Sequence, residues 1–204
     1  MSNIDNIAFF KLSYGLFVLT TNDANKHNGC IINTCMQVTD NPKQICICVN
    51  KANYTAETIS KAGVFTISVL TQSTPFAIFE RFGFQSGKDT NKFIGFDSYA
   101  LTESGLPYLT KNCNAFISAK VIQQVDCGTH FMFIAEVTQA EKLNDEASVT
   151  YEYYFANIKP KPEADKKKGF VCKICGYVHD SETLPDDFVC PWCKHPASDF
   201  EPIK

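Results

Sequence analysis

The chain has 204 residues, a net charge of −3, and 45% hydrophobic against 20% charged residues; this length and composition suit one globular domain plus a small module. The slight acidity argues against nucleic acid as the main partner, because phosphate binding needs clustered positive charge. The apolar stretch Ile7 to Leu19 is broken by Lys11 and Ser13, too short to cross a membrane and without a small-residue cleavage site after it, so the expected location is the cytoplasm with no membrane partner.

In chain order, Tyr14–Thr20 and Gly29–Asn33 read as strands pairing around a polar turn at Asn22–Asn28. Ile45–Asn50 is β-branched and cysteine-rich, a further strand. A helix is expected at Tyr54–Ala62, capped by Asn53 or Thr55 and ended by Gly63. Val64–Leu70 returns to strand, and a second helix at Thr74–Phe82 has Pro75 in its first turn. In Ala115–Val125, Lys120 and Gln124 alternate with Ala119, Val121 and Val125, the period of a half-buried strand. Asp126–Thr129 turns the chain into a last strand, His130–Ala140. Many short strands with few helices predict a mainly β fold, an antiparallel barrel closed on itself.

A boundary follows. Residues 159–169 carry five lysines against one Glu and one Asp, with Pro160 and Pro162, giving +3 between segments of −3 on either side. The reading is a solvated tether with a reach of roughly 20 Å; the alternative is a basic docking strip. The expected division is residues 1–158, the linker 159–169, and residues 170–204.

The last segment holds Cys172-Lys-Ile-Cys175 and Cys190-Pro-Trp-Cys193. Each Cys-x-x-Cys forms a tight turn that aims two sulfurs at one cation, and two such turns make a tetrahedral four-thiolate site for zinc or iron. So short a segment cannot bury enough apolar area alone, so the metal supplies much of its folding free energy. Spacing alone favours a zinc ribbon. The surroundings, Gly176-Tyr177, Leu184-Pro-Asp-Asp-Phe188 and Cys190-Pro191, resemble rubredoxin in the shortened form found in rubrerythrin tails. That resemblance implies one iron, wrapped by Phe170, Tyr177, Phe188, Trp192 and Phe200. Lys194 departs from it, standing where rubredoxins usually carry glycine. Of the six remaining cysteines, most are expected to be small buried hydrophobes; Cys46 and Cys48 share a strand face, so at least one should be core.

No Rossmann or P-loop motif is present. Asn33, Thr34, Gln37 and Thr39 offer donors and acceptors on adjacent strand ends. Lys51 and the N–H groups opening the next helix form a ready anion site. With Tyr14-Gly-Leu-Phe-Val-Leu-Thr20, Arg81-Phe-Gly-Phe84, Ser86-Gly87-Lys88 and Gly128-Thr129-His130, residues 5–158 resemble the flavin reductase family of FMN-binding split barrels. The resemblance implies FMN contacts from Asn33, Thr34, Gln37, Thr39, Cys48, Asn50, Lys51 and Thr55. It also implies that Ser86, Gly87 and Lys88 reach the phosphate or, from a partner subunit, the ring, that His130 lies beside flavin and substrate, and that the protein is a homodimer.

The two halves together resemble the layout of the high-molecular-weight rubredoxins. This implies an oxidoreductase in which NAD(P)H reduces FMN, FMN reduces the four-cysteine iron, and iron reduces an acceptor such as a flavodiiron protein acting on nitric oxide or dioxygen. A flavin is the chemical link, because nicotinamide gives electrons in pairs and a single iron takes one. Two alternatives stay open from sequence: an electron carrier reduced by a separate enzyme, and a zinc-ribbon module with no redox role.

Overall fold

The computed structural model describes residues 6–24, 26–160, 169–173, 176–191 and 196–203. After a short 3-10 turn at Asn6–Lys11, the chain forms β1 (Phe17–Asp23), β2 (Lys26–Ile32), β3 (Cys35–Thr39) and β4 (Gln44–Asn50). Helix α1 (Tyr54–Ala62), β5 (Val64–Leu70), α2 (Phe76–Gly83), a small ribbon of β6 (Tyr99–Leu101) and β7 (Pro107–Leu109), and the long pair β8 (Cys113–Asp126) and β9 (His130–Lys142) follow. A helical stretch, α3 (Tyr151–Tyr153) continuing through Tyr154–Ile158, ends this part.

Seven strands make one antiparallel sheet in the order β2-β1-β5-β8-β9-β4-β3. It rolls around a core containing Leu19, Ile47, Ile59, Phe65, Ile67 and Phe133, all at most 1% exposed. Helix α1 plugs one side through Ala56 and Ile59. The expected closure does not form by hydrogen bonding among the described residues: β2 pairs only with β1, and β3 only with β4. The two free edges are joined by a bend at Asn33–Thr34, which carries the chain from one edge to the other instead of reversing it into a hairpin. The barrel is therefore split, and the split lies beside residues that the sequence marks for ligand binding.

The β1–β2 hairpin is tighter than the sequence suggests. Its pairing runs out to Asp23↔Lys26, so most of the expected turn at 22–28 is strand, and Ala24 takes φ +50. Helix α1 has its expected bounds. Asn53 sits at its N-cap with extended backbone, though its side chain makes no capping bond, and Gly63 closes the other end at φ +68 with its N–H on Ile59 O. Pro75 caps α2 rather than lying within it. A second core, behind the sheet, joins Leu16, Val18 and Leu70 to Phe79 and Phe82 of α2 and to Tyr154.

The C-terminal part is a three-stranded sheet, β11 (Val178–His179), β10 (Phe170–Cys172) and β12 (Phe200–Pro202) in that order. Its core is small: Cys172, Cys190 and Phe200, with Phe170, Tyr177, Leu184 and Phe188 packed on them. The expected linker lies mostly outside the described residues, at 161–168.

Candidate functional site

A cavity of about 490 Å³ opens where the barrel is split, a volume suited to a small-molecule cofactor. In β4, Ile45, Ile47 and Val49 face the core, so alternation puts Cys46, Cys48 and Asn50 on the other face. Cys46 is buried, whereas Cys48 and Asn50 reach the cavity wall. Asn33 reaches it from the bend, and His130, paired with Asn50 across β4 and β9, reaches it from the start of β9. The His130 ring nitrogen Nδ1 lies 2.9 Å from Thr129 Oγ1. Asn50 Oδ1 accepts from Ala52 N at 2.9 Å, which fixes the turn that leads into α1.

The helix end of the cavity is a polar cluster. Thr55, in the first turn of α1, is buried and accepts from Asn28 Nδ2 at 3.2 Å. The Ser86 carbonyl accepts from Asp89 N at 3.2 Å and from Thr90 N at 3.0 Å, curling the 86–90 loop against that cluster. Gly87 is required there: a Cβ would overlap Asn28 Oδ1. Lys92 also lines the cavity and is only 3% exposed, with Nζ donating to Gly29 O at 2.8 Å and Phe82 O at 3.0 Å. Burial holds its pKa down, and pushes the thiol of Cys30, on the same wall, up.

Five expected residues stand apart from this wall. Lys51 lies outside it, its ammonium 2.6 Å from Asp126 Oδ1 and 4.7 Å from the Phe131 ring centroid; that ammonium holds the Asp126 carboxyl below its usual range. Thr34 donates to Asn33 Oδ1 at 3.1 Å, buttressing a wall residue without being one. Gln37 and Thr39 belong to edge strand β3, where Gln37 Nε2 donates to Thr39 O at 3.3 Å across a bulge. Lys88 is exposed, 3.8 Å from Glu57 Oε2.

The sequence reading missed the aromatic side of the cavity. Tyr54, Phe79, Phe84, Tyr151, Tyr154 and Phe155 all line it. Phe79 and Tyr154 have ring centroids 4.6 Å apart, and Tyr151 and Phe155 4.8 Å apart. Phe79 and Tyr151 are 72 positions apart and converge only by packing; a Tyr-Glu-Tyr-Tyr-Phe run after the last strand was the available signal. Pro191, next to Cys190 in the C-terminal part, borders the same cavity.

The thiol centre is described in half. Cys172 and Cys190 are 1% and 0% exposed within the cage of Phe170, Tyr177, Phe188 and Phe200. Gly176 N donates to Cys172 O at 2.8 Å, and Gly176 takes φ +76, closing the first knuckle. Cys175, Cys193, Trp192 and Lys194 lie outside the described residues. Two thiols buried together under aromatics, with the chain turning tightly after the first, fit a soft metal ion. Of the other cysteines, Cys30, Cys46 and Cys113 are buried, Cys35 and Cys48 half-buried, and Cys127 exposed.

Comparison with known proteins agrees with this geometry. A profile of the flavin reductase like domain matches residues 9–161, and one of the rubrerythrin, rubredoxin-like domain matches residues 170–201. The chain is 35% identical to a high molecular weight rubredoxin of Moorella thermoacetica, over 98% of this chain and 100% of that protein. It is 39% identical to a ferric-chelate reductase (NAD(P)H) of Archaeoglobus fulgidus, over 78% of this chain and 93% of that one. Among solved structures, an NADH:FAD oxidoreductase of Streptomyces globisporus C-1027 superposes with a TM-score of 0.65 at 20% identity, covering 74% of this chain and 92% of that one, a likeness of fold. The chain thus belongs to the flavin reductase like family and carries a rubredoxin-like domain at its C-terminal end.

Proposed function

We propose that the chain is an NAD(P)H-dependent oxidoreductase that moves electrons from nicotinamide, through FMN in the split-barrel cavity, to one iron at Cys172, Cys175, Cys190 and Cys193. The observation that carries this is the wall shared by the two halves: Pro191, adjacent to the metal ligand Cys190, borders the same cavity as Asn33, Asn50 and His130. A bound flavin accepts electrons in pairs and passes them on singly, which matches a two-electron donor to a one-electron metal.

The chain's own residues hold and orient the ring. The side-chain amides of Asn33 and Asn50 would supply hydrogen-bond donors and acceptors to its polar edge, Cys48 would line the same site, and Tyr151, Tyr154 and Phe155 would keep water from it. His130, on the cavity wall, would position the nicotinamide. Thr55, Ser86 and Gly87 close the end toward the phosphate. In a homodimer, Lys88 and the β3 residues Gln37 and Thr39 face a second subunit, together with the exposed Met36 and Val38. The acceptor beyond iron, by family resemblance, is a flavodiiron protein that reduces nitric oxide or dioxygen, and the setting is the cytoplasm; no helix here is long and apolar enough to cross a membrane among the described residues.

An anaerobic visible titration with NADH, then NADPH, tests the reading. Bleaching of flavin and iron bands in the proportion of two electrons per flavin and one per iron supports it. Bands that fail to respond to either nucleotide would make the protein a carrier reduced by a separate enzyme, and a colourless metal centre would make the C-terminal part a zinc ribbon.

A further inference from the structure

The first lysine of the basic segment is tied into the fold. Lys159 follows the helical stretch that ends at Ile158, and its backbone N–H donates to Tyr154 O at 2.8 Å across a single π turn. Tyr154 is 8% exposed in the core behind the sheet, so the base of the lysine is anchored to the barrel. The residue is half-buried, unusual for a lysine. Its ammonium lies 4.4 Å from the centroid of the Phe155 ring, and Phe155 lines the cavity.

The far end of the side chain meets the other half of the molecule. Gly176 follows Cys175 of the first Cys-x-x-Cys, and its N–H donates to Cys172 O at 2.8 Å to close that knuckle. A Cβ at Gly176 would stand 3.0 Å from Lys159 Cε and 3.4 Å from Nζ, so the end of the lysine lies against the bare Cα of the knuckle. One side chain thus reaches from the aromatic wall of the cavity to the metal-binding turn. Pro191, in the second knuckle, borders the same cavity. A cation over an aromatic face is held by the ring quadrupole. Here it also faces a four-thiolate centre, which is anionic with one iron, and more so when the iron is ferrous than when it is ferric.

We propose that Lys159 is the positioning residue for electron transfer between the two halves: its ammonium seats the first knuckle against Phe155 and, as a cation beside the centre, favours the ferrous state. This rests on the flavin-to-iron reading. In the step it serves, one electron passes from the reduced flavin to ferric iron, which becomes ferrous. A second electron follows once the acceptor has re-oxidised the iron, and the protons of the reduced flavin leave to solvent.

The test uses the full chain loaded with flavin and iron, as wild type, Lys159→Met and Lys159→Arg. Methionine keeps an unbranched stem and removes the charge; arginine keeps the charge and stacks on aromatic faces. After rapid anaerobic reduction with NADH, bleaching of the iron band is expected to slow roughly three- to thirtyfold in Lys159→Met, the range that a cation–π contact spans. Reduction of the flavin should keep its wild-type rate in both variants, and Lys159→Arg should bleach within a few-fold of wild type. A redox titration of the iron-loaded, flavin-free chain reads the charge directly: the midpoint potential should fall in Lys159→Met and hold in Lys159→Arg. An unchanged bleaching rate or an unchanged potential in Lys159→Met would overturn the inference, and so would equal slowing in the two variants. A wild-type flavin that NADH and NADPH both fail to reduce, or a colourless metal centre, sinks instead the flavin-to-iron reading on which the inference rests.

Discussion

Gly87 is set by its neighbour rather than by its backbone angles: any side chain there would collide with Asn28 Oδ1, the residue that holds Thr55 in place. Gly87→Ala must therefore push the 86–90 loop away from α1. The expected cost is about 1–3 kcal/mol, read as a lower Tm together with weaker flavin retention; an unchanged Tm with full retention would show that the loop yields freely. Lys92 makes a second prediction, whose sign follows from proton linkage. Burial lowers its pKa, so between that value and the ordinary lysine value of about 10.4 the folded chain holds fewer protons than the unfolded one. Stability then rises with pH in that window, while below it the full cost of burying the charge is borne. The Tm of flavin-free wild type minus that of Lys92→Met should climb as pH is raised toward about 10.4, and a flat or falling difference would mean that the ammonium is not destabilised by burial. These residues differ in how readable they are. Cys48 and Asn50 alternate with core residues along β4, so their arrival at a common wall follows from period two, and Asn33 follows directly on the end of β2. Lys92 lies in an irregular loop, where nothing in the sequence separates a buried lysine from a solvated one.

Helix α1 and strand β3 mark the two limits of legibility for elements. The helix is framed by Asn53 before and Gly63 after, and Gly63 adopts the φ of +68 that only glycine takes without strain. No atom lies within 4 Å of a Cβ built at Gly63, so Gly63→Ala isolates the backbone term. A loss of about 1 kcal/mol is expected, or roughly 2–4 °C in Tm for a chain of this size; a larger drop would point to a packing role that the geometry does not show. Strand β3 has no such frame. Its five residues include the exposed Met36, 58% accessible, and a bulge between Gln37 and Thr39, so its pattern resembles a polar loop with scattered apolar residues. The ribbon β6–β7 and the helical stretch after Val149 escaped for the same reason: each is too short for a period to repeat, and each is held by partners distant in sequence.

At the scale of the whole molecule, two described places bring the halves near each other. Pro191 reaches the cavity edge, and a Cβ at Gly176 would come within 3.0 Å of Lys159 Cε, at the start of the linker. The two acidic ends and the basic segment between them were legible from composition, but the shared wall was not, because it depends on tertiary packing. If the second knuckle rests at the cavity, iron receives its electrons from flavin within one molecule, or within one homodimer. Following rapid anaerobic reduction of flavin by NADH, the rate at which the iron band bleaches should then be independent of protein concentration over about a tenfold range, since a unimolecular step carries no encounter term. A rate proportional to concentration would mean that each iron module is served by the flavin of another molecule met by diffusion, and the contact at Pro191 would then play no part in the transfer. The concentration-independent outcome has a further consequence: substituting Pro191 should slow this step while leaving reduction of the flavin by NADH unchanged, because only the second transfer crosses the shared wall.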